Sequence, residues 1–304
     1  MIEIKRLGQL MSTVIVLAFP FVAHAQPATQ SQTVTSFSIT GLNQFNTSMQ
    51  EGGSFDFYDT SARFSVTQRF NAQWSAGVGL QYDYEKWSWN NPVAFGGQGP
   101  WQAIVTPGLT FNLMYSPTPS WHLMLSPSVE WSAETGVGTG GSSTYGAVFS
   151  ATNTISPDLS LGLGAGVFRQ VGENRVFPFV VVNWRLTERL TLKNPLPAGP
   201  AGGAGLELAY KFNDDWTIGA GATYRSYRFR LNNDGPYAGG IGENSLIPIF
   251  ARVSYRLTPV TNIDLYAIAS AGGKVQATSA DASQTWNSGY SLGFGLGLNI
   301  RHRF

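Results

Sequence analysis

From residue 55 onward, apolar and polar residues alternate one for one over stretches of about 10–16 positions, each closed by turn-forming residues. In Trp101–Tyr115 one face carries Trp101, Ala103, Val105, Leu109, Phe111, Leu113 and Tyr115. The other carries Gln102, Thr106, Thr110 and Asn112. The segments Trp121–Trp131 and Tyr290–Arg301 repeat the pattern. Period two is strand periodicity; a helix would scatter both sets around its circumference. Past residue 25 no apolar run approaches the roughly 20 residues of a membrane helix. Yet only 12% of the chain is charged, about half the ~25% usual in a soluble domain. Strands that cross a bilayer meet both conditions. They must close into a barrel, because lipid satisfies no open sheet edge.

The turns fall into two alternating classes. Tight ones lie at Asn71–Gln73, Ser116–Ser120, Ser156–Asp158, Thr187–Arg189, Asn213–Asp215 and Thr258–Thr261. Longer ones lie at Trp89–Pro100, Thr135–Ser142, Val171–Asn174, Pro195–Gly202, Asn232–Glu243 and Gln276–Ser288. Short turns at one end and longer loops at the other follow the plan of an outer-membrane barrel, whose short turns are periplasmic. Thirteen strands fit between Phe55 and Phe304, and closure calls for an even number. With Val34–Leu42 as the first strand the count is fourteen. Twelve is the rival, because Leu190–Asn194 is short and the proline-rich Asn194–Pro200 reads equally as loop. The expected fold is therefore an all-β, up-and-down antiparallel transmembrane barrel.

Aromatic residues gather at both strand ends. Phe70, Trp74, Tyr115, Trp121, Trp184, Phe212, Trp216 and Tyr255 flank the tight turns. Tyr82, Tyr84, Trp101, Trp131, Tyr145, Tyr224 and Tyr290 flank the loops. Two such belts are expected at the membrane interfaces.

Residues 1–25 read as a secretory signal peptide: Lys5 and Arg6, the apolar Met11–Val22, then Ala23-His24-Ala25 before Gln26. Residues 26–54 form an N-terminal segment that holds the candidate first strand or else enters the lumen, and 55–304 form the barrel. Without its signal the chain is formally neutral, so no basic excess is available for nucleic acid. With no cysteine, thiol catalysis, disulfides and cysteine–zinc sites are excluded.

The signal peptide, the alternating strands and the terminal Arg301-His-Arg-Phe304 resemble Gram-negative outer-membrane barrel proteins over the whole mature chain. That resemblance implies integral residence in the outer membrane beside lipopolysaccharide, with Phe304 read by the barrel-assembly machinery. The stretch Asn183-Trp-Arg-Leu-Thr-Glu-Arg-Leu190 and the strands after it resemble a family of uncharacterised barrels. More weakly, they resemble outer-membrane transporters associated with aromatic-compound degradation.

Catalysis finds little footing in the mature chain. His122 and His302 are its histidines, both beside tight turns, so a serine nucleophile lacks a base at the outer leaflet. Gly162-x-Gly164-x-Gly166 and Gly293-x-Gly295-x-Gly297 place glycines on one face of a strand with no helix to hold a phosphate. They read as small inward residues that permit curvature or leave lumen space. No cofactor or metal is expected.

The expected activity is passive passage of small solutes through a pore, with selectivity set by lumenal charge. The alternative is a closed structural barrel, or one that binds ligands through Trp87, Trp89, Phe95 and Trp101. These four serve equally as part of the upper belt. Parity puts Arg63, Arg69, Glu130, Arg185, Lys211, Arg252, Arg256 and Arg301 on the pore wall. Of these, Arg69, Arg185, Lys211, Arg256 and Arg301, joined by Arg303, approach the periplasmic mouth as an anion-favouring ring. Lys86, Arg228 and Arg230 have outward parity near the outer lip, suited to lipid phosphates.

Overall fold

The computed structural model describes residues 32–138, 140–196, 198–202 and 205–304; the expected signal peptide, residues 1–25, lies outside them. The described residues form one closed antiparallel barrel of fourteen strands. These are β1 (Gln32–Ser48), β2 (Ser54–Arg69), β3 (Trp74–Asn90), β4 (Ala103–Tyr115) and β5 (Trp121–Trp131, continued by Ala133–Glu134). Next come β6 (Ser143–Ser156), β7 (Leu159–Gln170), β8 (Glu173–Arg185), β9 (Leu190–Lys193) and β10 (Leu206–Lys211). The last four are β11 (Trp216–Ala222, then Arg225–Arg230), β12 (Ile241–Thr258), β13 (Thr261–Thr278) and β14 (Thr285–Tyr290, then Gly293–Arg303). β1 closes the ring by pairing with β14, from Ser36↔Arg303 to Gln44↔Gly295. Residues 32–48 are thus wall, and the alternative in which that segment fills the lumen does not hold for them.

Strand pairing is set at the tight turns. In Phe70-Asn71-Ala72-Gln73-Trp74 the Asn71 Oδ1 accepts the N–H of Gln73 and of Trp74, each at 2.8 Å. Asn213 does the same for Asp215 and Trp216, at 3.0 and 2.8 Å. Thr187 Oγ1 accepts from the N–H of Arg189 and Leu190. A side-chain oxygen two or three residues before the strand satisfies backbone donors that the reversal leaves unpaired. The connection at Val171–Gly172, expected to be longer, is as tight as these; Gly172 takes φ +88°, which a two-residue hairpin favours.

Outside, the wall is apolar: Phe37, Phe64, Leu80, Phe111, Phe149, Leu163, Val180, Ile218, Ile249, Leu265 and Leu296 are all exposed. In water such a surface is costly; against hydrocarbon it is what a spanning barrel presents. Near the turns Phe70, Trp74, Trp121, Trp184, Phe212 and Trp216 point outward as a belt, with Trp74 stacked on Tyr115 at 4.3 Å between centroids. Leu163→Arg, midway along the lipid side of β7, is expected to lower unfolding free energy by about 2–4 kcal/mol in bilayers. Ser160→Arg, on the lumen face of the same strand, is expected to change it far less. Urea titration in vesicles checks both.

Crossing the hydrocarbon takes roughly 9–11 residues per strand. β1, β2, β3, β12 and β13 have 16–18 residues and rise well beyond that at the loop end. β9 and β10 have only four and six, so the wall there is low. At one level five neighbouring strands are interrupted: register shifts between β12 and β13, at Ser245/Ile247 opposite Gly272 (φ +58°), and between β1 and β2, at Gln44/Thr47, while β11 breaks at 223–224 and β14 at 291–292 with their registers kept. Bulges bend a sheet sharply. Here these interruptions crease the wall, and the part above the crease turns inward.

Candidate functional site

Above the crease the lumen is filled by aromatic rings. Phe55, Phe57, Trp87 and Trp89 come from β2 and β3, Phe95 and Trp101 from the β3–β4 loop. Tyr227 and Phe229 come from β11, and Tyr290 from β14. Trp101 and Phe229 are 1% and 0% exposed and meet edge-to-face at 4.9 Å. Phe57 stacks on Trp87 at 4.6 Å, and Phe55 meets Tyr290 edge-on at 5.0 Å. Two corrections follow. Trp101 and Tyr290 do not belong to the outer belt, and Trp87, Phe95 and Trp101 do not form an exposed stacking surface. The strand break at 291–292 explains Tyr290: β14 keeps its register with β13 and β1, but above the break its even-numbered side chains face the lumen instead of lipid. Parity alone already puts Phe55, Phe57, Trp87 and Trp89 on the lumen side with Asp83 and Glu85.

The distal half of the β11–β12 hairpin carries this closure across the barrel. With no strand of β10 beside it, Arg225–Arg230 leaves the wall and reaches β5. There the Arg230 N–H donates to Ser132 O (3.0 Å), and Arg230 bridges in parallel to Ala133. Its front face carries Phe229 and Tyr227 together with Arg225, which lies over the Tyr227 ring at 5.5 Å and beside the lumen carboxylates of Asp59, Asp83 and Glu85; Tyr227 donates to Glu85 Oε2 (2.9 Å), which also accepts from Trp87 Nε1 (3.1 Å). Its back face, Ser226, Arg228 and Arg230 with Glu243 of β12, lies against the lumen side of β6–β8. Arg228 pairs with Glu173 and Glu243, and Arg175 with Glu243 at 3.0 Å. Arg230 donates to the carbonyls of Gly141 and Gly239. Arg228 and Arg230 are therefore not at lipid headgroups. Their outward parity holds, but the strand that carries them has turned into the lumen. Lys86 remains exposed on the outer face of β3.

Below the closure the wall is polar along a defined line. Lumen residues in register across adjacent strands run Arg256, Asn262, Arg301, Ser38, Arg63, Gln81, Gly108, Glu130, Thr144, Gln170 and Glu173. Strand tilt makes such a line climb the barrel. It starts beside the turns at Arg256 and ends at Glu173, on the back of the hairpin. Gln81 Nε2 donates to Glu130 Oε2 (3.1 Å), and Arg63 pairs with Asp83 at 3.5 Å. The next row up, through Ser254, Asp264, Asn299, Thr40, Ser61 and Asp83, is polar too.

The remaining residues expected on the pore wall separate into two groups. Arg252 is fastened to Glu207 and to Asp264 (3.0 Å), and Asp264 also accepts from Ser254 Oγ at 2.5 Å. It braces β10, β12 and β13 and offers little free charge. Arg69, Arg185, Lys211, Arg256, Arg301 and Arg303 are exposed at the turn end. Arg185 is paired with Asp158 and Lys211 with Asp214. The Asp214 carboxyl, fully exposed, is held below the usual carboxylate range by its bond to Lys211 and that residue's charge.

Among the described residues no cluster of three potential metal ligands occurs. His122 and His302 bond hydroxyls of Ser116 and Thr261, each at 2.9 Å. Gly164 and Gly166 face Phe179 and Phe177 of β8, whose rings occupy the place of a Cβ. These glycines make room for aromatic side chains on the wall. Phe304 ends β14 with its ring exposed and its N–H on Thr35 O at 3.0 Å.

An apolar outer band, a polar lower lumen and full closure of the strands define a membrane-spanning β-barrel. The chain belongs to the family described as Domain of unknown function (DUF6268), which matches residues 23–238. No curated protein matches the chain in sequence. Among solved structures it is similar to an outer-membrane channel from Pseudomonas putida F1: TM-score 0.48, 10% identity, 94% of this chain and 99% of that chain covered. It is also similar to the toluene transporter TodX of P. putida (0.46; 10%; 92% and 91%). A third is the KdgM porin (0.37; 11%; 88% and 99%). None of these likenesses carries a substrate over to this chain.

Proposed function

We propose that this protein is an outer-membrane pore for passive passage of small solutes, favouring anions. The observation that carries the reading is the polar line from Arg256 to Glu173, because a barrel meant only to be solid has no need of a continuous polar wall. Its lower part holds Arg256, Arg301 and Arg63 in one row. Of these, Arg63 has an ion-pair partner, and Arg256 and Arg301 have none among the described residues. Guanidinium groups along a narrow aqueous passage raise the local concentration of anions. The tight turns face the periplasm in this reading, Phe304 is the segment read by the assembly machinery, and Lys86 meets lipopolysaccharide phosphates.

Single-channel recording of the refolded mature chain across an about tenfold KCl gradient tests it. Discrete steps with a chloride-favouring reversal potential are expected, and Arg256→Gln with Arg301→Gln is expected to reduce that preference. A cation-favouring reversal in the unmodified chain would remove the anion assignment. A second reading, a closed barrel without conductance, is favoured by the buried aromatic closure. Lasting silence from protein shown to be folded would establish it.

A further inference from the structure

The loop-end closure has two unlike sides. In front of the infolded hairpin, Phe55, Trp87, Trp101 and Phe229 are each 3% exposed or less, and parting them would expose a large apolar area. Behind it lies a charged seam. Side-chain exposure there rises from 12% at Arg228 through 18% at Glu243 and 21% at Arg175 to 44% at Glu173. Two buried polar atoms on this side, Arg228 Nε and Gln170 Oε1, have no partner, as Asp59 Oδ1 and Trp101 Nε1 have none on the other. Gln170 and Glu173 stand opposite each other at the β7–β8 turn, so the two in the seam adjoin the same ion pairs. Water entering the seam would satisfy them and replace partly solvated ion pairs, which individually contribute little. The polar line from Arg256 also ends here, whereas the row above it reaches Asp83, beside the ion cluster of Asp59, Glu85 and Arg225 under the rings.

We propose that solutes pass the loop end through this seam, between the back of the β11–β12 hairpin and β6–β8. Arg175 and Arg228, held by Glu173 and Glu243, are its specificity-determining residues. The inference rests on the pore reading and deepens it by naming the route and the solute class. Three guanidinium groups, Arg175, Arg228 and Arg230, face two carboxylates, and Arg230 is bonded only to carbonyl oxygens. A small carboxylate or phosphate exchanges for Glu173 or Glu243 on the arginines with charge-assisted bonds preserved. A cation finds no such vacancy without displacing a guanidinium.

The chain has no cysteine, so single thiols report position cleanly. Glu173→Cys places one at the rim of the seam; Glu51→Cys places one in the β1–β2 loop at the rim of the aromatic side. A bulky methanethiosulfonate reagent is expected to cut unit conductance by roughly half or more at position 173, reversibly with reductant, and to leave position 51 nearly unchanged. Equal block at both, block at 51 alone, or no block at 173 in a conducting channel would overturn the route. If neither variant conducts before the reagent is added, the pore reading itself falls and the route with it. Separately, Arg175→Gln with Arg228→Gln is expected to lower the chloride-to-potassium permeability ratio about threefold. An unchanged ratio would overturn the assignment of these two residues.

Discussion

Replacing Trp101 by alanine is expected to lower the unfolding free energy by about 3–5 kcal/mol, the range for deleting a large ring from a packed interior. Trp101 meets Trp87, Trp89 and Phe229 edge-to-face at 5.5, 5.2 and 4.9 Å. Its carbonyl accepts Trp89 Nε1 at 2.7 Å. These rings come from β3, from the β3–β4 loop and from the infolded hairpin, so the cavity would open where three segments meet and none can collapse into it alone. Trp121→Ala, on the outer belt, removes the same ring from a surface that lipid covers again and is expected to cost far less. Urea titration in lipid with tryptophan fluorescence distinguishes the two. Equal losses would mean that the aromatic closure is not a packed core.

Arg252→Met is expected to cost a comparable amount, about 3–5 kcal/mol, for a different reason. One guanidinium serves two carboxylates, with Nη1 on Asp264 and Nε on Glu207 at 3.1 Å. Glu207, Asp264 and Arg252 are all largely buried. Removing the cation leaves two like charges on the lumen wall with Ser254 Oγ as the remaining donor to Asp264. The penalty belongs to those abandoned carboxylates and not to the worth of the original pair. Combining Arg252→Met with Glu207→Gln and Asp264→Asn is therefore expected to recover most of the loss. If the triple variant is as unstable as the single one, the bracing role of Arg252 between β10, β12 and β13 matters more than charge balance.

Much of the barrel was legible in its residues. Alternation located the strands, and Asn71, Thr187 and Asn213 marked turns whose geometry they impose through their own side-chain oxygens. The count of fourteen needed only the requirement of closure and a first strand within residues 26–54. Lumen parity for Arg63, Glu130, Arg252, Arg256 and Arg301 followed from the apolar residues opposite them. One failure lies at the break within β14. Tyr290 and Leu292 share parity in the chain, yet Tyr290 is buried in the lumen and Leu292 is exposed. The break carries no marker beyond the local loss of pairing.

Strand identity, closure and the inside-outside division of most side chains were determined by the sequence alone, because each rests on neighbours two residues apart or on one short turn. The infolded hairpin was decided only by the tertiary structure. It depends on β9 and β10 being too short to flank β11 above the crease, on five neighbouring strands being interrupted at one level, and on partners as distant as Ser132 and Glu173. Arg228 has the same parity either way. Whether it meets lipid or Glu173 depends on where the whole sheet bends, and that is set by contacts between strands far apart in the chain.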